Sequence, residues 1–132
     1  IAFSRLLDLV EPAPTGRLTV HVLDTAQGRP AAGMEIALSR LEAGGGAVPL
    51  KRLRTNRDGR LDGPALRPEE MAAGRFELAF AAGAYFLGQG IRLSAPAFLD
   101  VIPIRFAIAN PEEAYHVPLL VSPWAYSTYR GS

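Results

Sequence analysis

From Arg17 onward the chain is a succession of short segments in which apolar and polar residues alternate, and that rhythm restricts the fold more than any other feature. Alternation with a period of two gives a strand two chemically distinct faces, whereas a helix repeats near 3.6 residues. Leu18, Val20 and Val22 alternate with Thr19, His21 and Leu23 until Gly28-Arg29-Pro30 breaks the run. Residues 34–41 alternate again, with Glu35 between apolar neighbours, and residues 48–54 are the expected partner strand across Gly44-Gly45-Gly46. Asn56-Arg57-Asp58-Gly59 supplies residues that tolerate positive φ in a tight turn, so Arg60 is held by short chain. Further strands are predicted over residues 75–80, 98–109, 115–121 and 125–129, with Pro103 marking a sheet edge or bulge. Pro68, Glu69 and Glu70 suit the start of a helical turn over residues 67–73. Residues 82–89 suit a short helix weakened by Gly83 and Gly88. Seven or eight short strands at this spacing predict an all-β chain folded as a β-sandwich.

A length of 132 residues suits one domain, which buries about two-thirds of its unfolded surface. Residues 1–10 are apolar apart from Ser4, Arg5 and Asp8, like the end of an amphipathic helix, and two prolines make residues 11–16 a linker. Residues 1–15 are therefore expected to be an N-terminal extension or linker, or a tether to an upstream domain, and residues 16–132 the folded domain. Fourteen basic and thirteen acidic residues leave a net charge of +1, which argues against a duplex-binding stripe and hence against nucleic acid as a partner. No run reaches the 18 apolar residues of a membrane helix, so no membrane partner is expected. The sequence holds no cysteine, which excludes disulfides, thiolate catalysis and sulfur-based metal sites, and is compatible with a cytoplasmic location.

Only His21 and His116 titrate near neutral pH. If Leu18, Val20 and Val22 face the core, His21 points away from it. The same parity turns His116 away from Tyr115, Val117, Leu119 and Val121. Asp24 falls on the face opposite His21, which suggests a turn or backbone role rather than a catalytic partnership. Arg60 offers paired planar donors suited to a carbonyl and its developing oxyanion, and near two imidazoles it disfavours their protonation. Ser127 and Tyr129 share a strand parity, and Arg130, Gly131 and Ser132 add donors, a flexible joint and a hydroxyl. There is no Gly-x-Ser-x-Gly elbow and no phosphate-cradling glycine loop. The histidines lie far apart without a ligand cluster, so neither a metal nor a cofactor is expected.

Three separated stretches carry a more specific signal. They are Leu18-Thr19-Val20-His21-Val22-Leu23-Asp24, then Thr55-Asn56-Arg57-Asp58-Gly59-Arg60, and the closing residues 115–132, which finish on Tyr129-Arg130-Gly131-Ser132. Together, from about Gly16 to Ser132, they resemble the transthyretin-like 5-hydroxyisourate hydrolases. The resemblance implies a transthyretin-like β-sandwich of two four-stranded sheets with one short helix. It implies hydrolysis of 5-hydroxyisourate, the unstable product of urate oxidation, to 2-oxo-4-hydroxy-4-carboxy-5-ureidoimidazoline. It assigns catalysis to His21, Arg60 and His116, and substrate binding to Ser127, Tyr129, Arg130, Gly131 and Ser132. Either histidine fits the role of base that activates water. The resemblance also implies a homotetramer in which outer sheet faces meet and form the sites between subunits. Family members fused to a decarboxylase for the next step are what make the tether conceivable. The rival reading is a non-catalytic small-molecule carrier on the same tetramer, like transthyretin, which lacks this histidine–arginine constellation.

Overall fold

Eight strands, one short helix and one 3-10 turn build the fold in the computed structural model, which describes residues 15–132. The amphipathic segment and most of the linker expected over residues 1–15 lie outside the described residues, as does any tether they form. The strands are β1 (Arg17–Asp24), β2 (Arg29–Pro30), β3 (Glu35–Leu41), β4 (Ala47–Arg54), β5 (Gly74–Ala81), β6 (Val101–Ile108), β7 (Ala114–Val121) and β8 (Tyr126–Thr128). Helix α1 (Ala82–Gly88) follows β5 directly, and a 3-10 turn at Pro68–Glu70 occupies the centre of the helical turn predicted over residues 67–73. Two four-stranded sheets result, in the orders β2-β1-β7-β8 and β4-β3-β5-β6. This is the transthyretin-like sandwich expected from the sequence.

Alternation places the core. Leu18, Val20 and Val22 of β1 and Tyr115, Val117, Leu119 and Val121 of β7 are buried against Ile36, Leu38, Phe76, Leu78, Phe80 and Ile102 of the other sheet. Each such large side chain contributes on the order of 2 kcal/mol on leaving water. Asp24 sits on this inner face at the end of β1 and is 1% exposed. It accepts hydrogen bonds from Gln27 N at 2.9 Å, Gln27 Nε2 at 2.7 Å and the Tyr85 hydroxyl at 2.8 Å. The turn role expected for Asp24 therefore extends to fastening α1. Burial, reinforced by the Asp24 carboxylate, pushes the Tyr85 phenol up to about 12.

Two boundaries differ from the sequence pattern for backbone reasons. β6 begins at Val101 rather than residue 98, because Asp100 O accepts from Gly83 N at 2.9 Å and commits that backbone to α1. Pro103 lies on an edge strand, as its missing N–H requires. β8 is shorter than the predicted residues 125–129, and Pro118 accounts for this although β7 is an interior strand. Gly131 N donates to His116 O at 2.8 Å, so the main-chain groups of His116, and by alternation those of Pro118, face the tail rather than β1. Pro118 has no N–H to offer there. The β7–β8 ladder consequently stops at Leu119↔Thr128, and the Thr128 hydroxyl supplies the Pro118 carbonyl at 2.7 Å instead. The chain leaves the sheet at Tyr129 and Arg130 and returns at Gly131.

Candidate active site on the outer face of the β1–β7 sheet

β1 and β7 run parallel with Thr19 opposite His116 and His21 opposite Pro118. His21 and His116 are both half-buried on the face turned away from the core. Neighbouring-strand spacing and a two-residue offset place their Cα atoms about 8 Å apart, on one face. The flanks of the two strands bring in the other segments. On the β1 side, Arg60 forms an isolated antiparallel bridge with His21. On the β7 side, Gly131 bridges His116. Turn, β1, β7 and tail thus lie side by side.

The turn that presents Arg60 is held together through Asn56. Asn56 Oδ1 accepts from Asp58 N at 2.8 Å and Arg60 N at 3.2 Å, while Asn56 N donates to Arg60 O at 2.7 Å. Of the four turn residues only Gly59 takes positive φ, at 73°. Asn56 is needed for its carboxamide, not for backbone tolerance. Gly59 O accepts from Val22 N at 2.8 Å, which docks the turn on β1 beside His21. Thr55, buried at 3% exposure, donates to Ala31 O at 2.6 Å and accepts from Met34 N at 2.8 Å, anchoring the strand that feeds the turn.

Electrostatics follow from this packing. Burial lowers the pKa of both histidines below the usual 6.5, and the Arg60 guanidinium lowers them further. His21 adds to the effect on His116, while hydrogen bonding to the main chain of Thr19 opposes it. The Asp58 main-chain carbonyl and carboxylate oppose the shift at His21. The cluster therefore holds two neutral imidazoles beside a permanent cation. Such a site takes a proton from water at neutral pH and stabilises negative charge a few ångströms away. Among the described residues, no group of three His, Cys, Asp or Glu side chains gathers to hold a metal ion. No helix among them is long and apolar enough to cross a membrane.

The tail residues divide. Ser127 pairs with Leu120 and so shares the outer face with His116. Gly131 lies against the His116 imidazole, so closely that a Cβ there would meet Cδ2 at 2.6 Å. Tyr129 is exposed and lines a cavity of about 230 Å³ with Ile104, Phe106 and Arg130. Ser132 is exposed beyond the bridge. Arg130 turns to the other side of β7. Its guanidinium stacks 4.1 Å from the centre of the Tyr115 ring and donates to Ala114 O at 3.1 Å and Glu113 Oε1 at 3.4 Å. Arg130 thus lines the same cavity as His116, but its guanidinium is engaged by Tyr115, Glu113 and the Ala114 carbonyl. Thr19, by contrast, was read only as sharing a face with His21, yet its Oγ1 lies 2.7 Å from His116 Nδ1. The outward parity of Thr19 is the one signal in the sequence for that contact; the parallel pairing of β1 with β7 is not readable there.

A sequence profile described as the HIUase/Transthyretin family matches residues 18–131. A 5-hydroxyisourate hydrolase of Mesorhizobium japonicum is 58% identical, over 91% of this chain and 95% of its own length. Among solved structures, an (S)-allantoin synthase superposes with a TM-score of 0.83 at 48% identity, covering 99% of this chain, which spans 49% of the length of that one. The 5-hydroxyisourate hydrolase of Klebsiella pneumoniae superposes with a TM-score of 0.73 at 33% identity, over 89% of this chain and 99% of its own.

Proposed function

This chain belongs to the HIUase/transthyretin family and hydrolyses 5-hydroxyisourate, and we propose that His21, Arg60 and His116 carry that reaction. The observation that supports these roles is the convergence of two half-buried, neutral imidazoles and one guanidinium from three separate segments onto one outward face. A neutral imidazole takes a proton from water as the water oxygen attacks a ring carbonyl. Arg60 binds the oxyanion that forms. As the tetrahedral centre collapses, the ring C–N bond breaks and the imidazolium returns its proton to the departing nitrogen, leaving a carboxylic acid and an opened ring. Base catalysis of this kind contributes about 10²–10⁴-fold, and one oxyanion donor about 10²–10³-fold.

Substrate binding by the tail is part of the same proposal. Ser127, Gly131 and Ser132 border the histidines on the β7 side, with Tyr129 beyond them, and Arg130 serves by holding the tail against Tyr115. No cofactor is invoked. We place the active form in a homotetramer, with sites completed between subunits. Leu23 and Leu120 flank the cluster with half-buried apolar surface, and the β6 and β8 edges carry exposed Val101 and Tyr126, which suits this face and these edges to burial by further copies. A carrier role has no support at these positions, since a channel for an apolar ligand does not need two imidazoles and a guanidinium. The cytoplasm is the location we assign, and cell fractionation tests it.

The decisive assay follows the ultraviolet decay of freshly generated 5-hydroxyisourate with and without protein. His21→Ala, Arg60→Ala and His116→Ala are each expected to slow turnover about 10²–10³-fold with the fold intact. Near-wild-type turnover in any one removes that residue from the mechanism. A fully active monomer in sedimentation would remove the shared site.

A further inference from the structure

The His116 ring has two of its edges occupied. Thr19 Oγ1 faces Nδ1 at 2.7 Å. On the other side Gly131 packs so close that a Cβ would come within 2.6 Å of Cδ2 and 3.3 Å of Cγ, and Gly131 N is fastened to His116 O. The only ring nitrogen left facing outward is Nε2. A hydroxyl can donate or accept, so the Thr19 side chain alone leaves the proton's position open. Orientation decides it: with Nδ1 held against Thr19, Nε2 is the nitrogen that can meet a substrate, and it can accept a proton there only when Nδ1 carries the ring's own proton and donates it to the Thr19 hydroxyl.

We propose that Thr19 is a positioning residue that holds His116 as the Nδ1–H tautomer, leaving Nε2 unprotonated toward the substrate as the proton acceptor. This rests on the reading of His116 as catalytic and deepens it by selecting His116 Nε2 as the base. The charged and titratable groups around this ring fit that role. Arg60 from the turn and His21 from β1 face it on the outer side. From the tail, Tyr129 is exposed, and Arg130 is spent on Tyr115, Glu113 and the Ala114 carbonyl. None of these groups hydrogen-bonds Nδ1, which Thr19 Oγ1 holds at 2.7 Å. Thr19 is half-buried on the outer face and contributes nothing to the core, so its side chain can be altered without touching the packing between the sheets.

The experiment combines imidazole ¹⁵N NMR with kinetics on wild type, Thr19→Val and Thr19→Ser. Valine keeps the branched strand shape without the hydroxyl, and serine keeps the hydroxyl. With only two histidines in the sequence, a His21→Gln variant assigns the His116 signals. Wild type is expected to show a protonated Nδ1 and a bare Nε2 at neutral pH. Thr19→Val is expected to mix the tautomers and lower kcat on the order of tenfold, the effect of one hydrogen bond, with KM nearly unchanged. Thr19→Ser is expected to restore both. A wild-type ring protonated at Nε2 overturns the assignment, as does Thr19→Val with wild-type tautomer and kcat. The NMR measurement needs no turnover. A bare Nε2 in a protein whose His116→Ala variant keeps full activity would therefore retire the catalytic role of His116, and Thr19's with it, while leaving the hydrogen bond standing.

Discussion

Replacing Gly59 by alanine tests how Arg60 is delivered to the site. Gly59 has φ of 73°, and a Cβ built on it would lie 2.3 Å from Val22 O, 3.1 Å from Pro30 Cβ and 3.2 Å from Ala31 N. The closest of these atoms belongs to β1 and already accepts from Ala31 N at 2.9 Å, so it has no freedom to retreat. The left-handed conformation alone costs alanine about 1–2 kcal/mol. Relief of the clash requires the turn to lift from β1, which breaks the bond from Val22 N to Gly59 O and costs roughly 1–3 kcal/mol for a group left unsatisfied inside the fold. The sum is about 3 kcal/mol, a fall in Tm on the order of 10 °C for a domain of this size. Lifting the turn also withdraws Arg60 from His21, so turnover should fall about 10²-fold, like the loss of an oxyanion donor. Denaturant unfolding and the 5-hydroxyisourate decay assay read the two effects separately. Gly63→Ala is the control, because a Cβ there meets nothing within 4 Å. Stability within about 0.5 kcal/mol of wild type, the range of an ordinary surface change, together with full turnover, would show that the docked turn does not hold Arg60.

Gly131→Ala should do the reverse of a fold mutation: its Cβ pushes on His116 Cδ2 at 2.6 Å at the exposed end of the chain, so kcat is expected to fall about tenfold or more while Tm hardly moves. Tyr115→Phe should separate the effects the other way. It removes the hydroxyl that accepts from Ala109 N and Asn110 N on the core side of β7, costing about 1–3 kcal/mol in denaturant unfolding with turnover retained. Both histidines titrate below 6.5, so the acid limb of kcat/KM should have its midpoint below that value, and NMR titration of Arg60→Gln should show both imidazoles moving upward. The same lowering has a stability consequence. Unfolded histidines bind protons as the pH falls through 6.5 while the folded ones resist, so these groups cost nothing above that pH and destabilise increasingly below it. Unfolding midpoints that rise on acidification through this window would contradict the burial of the two rings.

Most of the architecture was legible in the order of residues, because period-two alternation is a local property. Leu18, Val20 and Val22 on one side and His21 on the other follow from strand geometry whatever the strand pairs with. The helix at Ala82–Gly88 and the edge position of Pro103 were legible for similarly local reasons. The three short motifs marked His21, Arg60 and His116 as candidates. What no segment contained was their adjacency. The pairing of β1 with β7, 97 residues apart at Thr19 and His116, is what sets an alcohol against Nδ1. Likewise the missing N–H of Pro118 acts only through the neighbour it fails to bind, releasing Arg130 toward Tyr115 and letting Gly131 return to His116. Alternation and turn chemistry are written in neighbouring residues, so the chain by itself determined strands, faces and candidates. Register between distant strands depends on cores that exist only after folding, so tertiary structure alone decided which of those candidates touch.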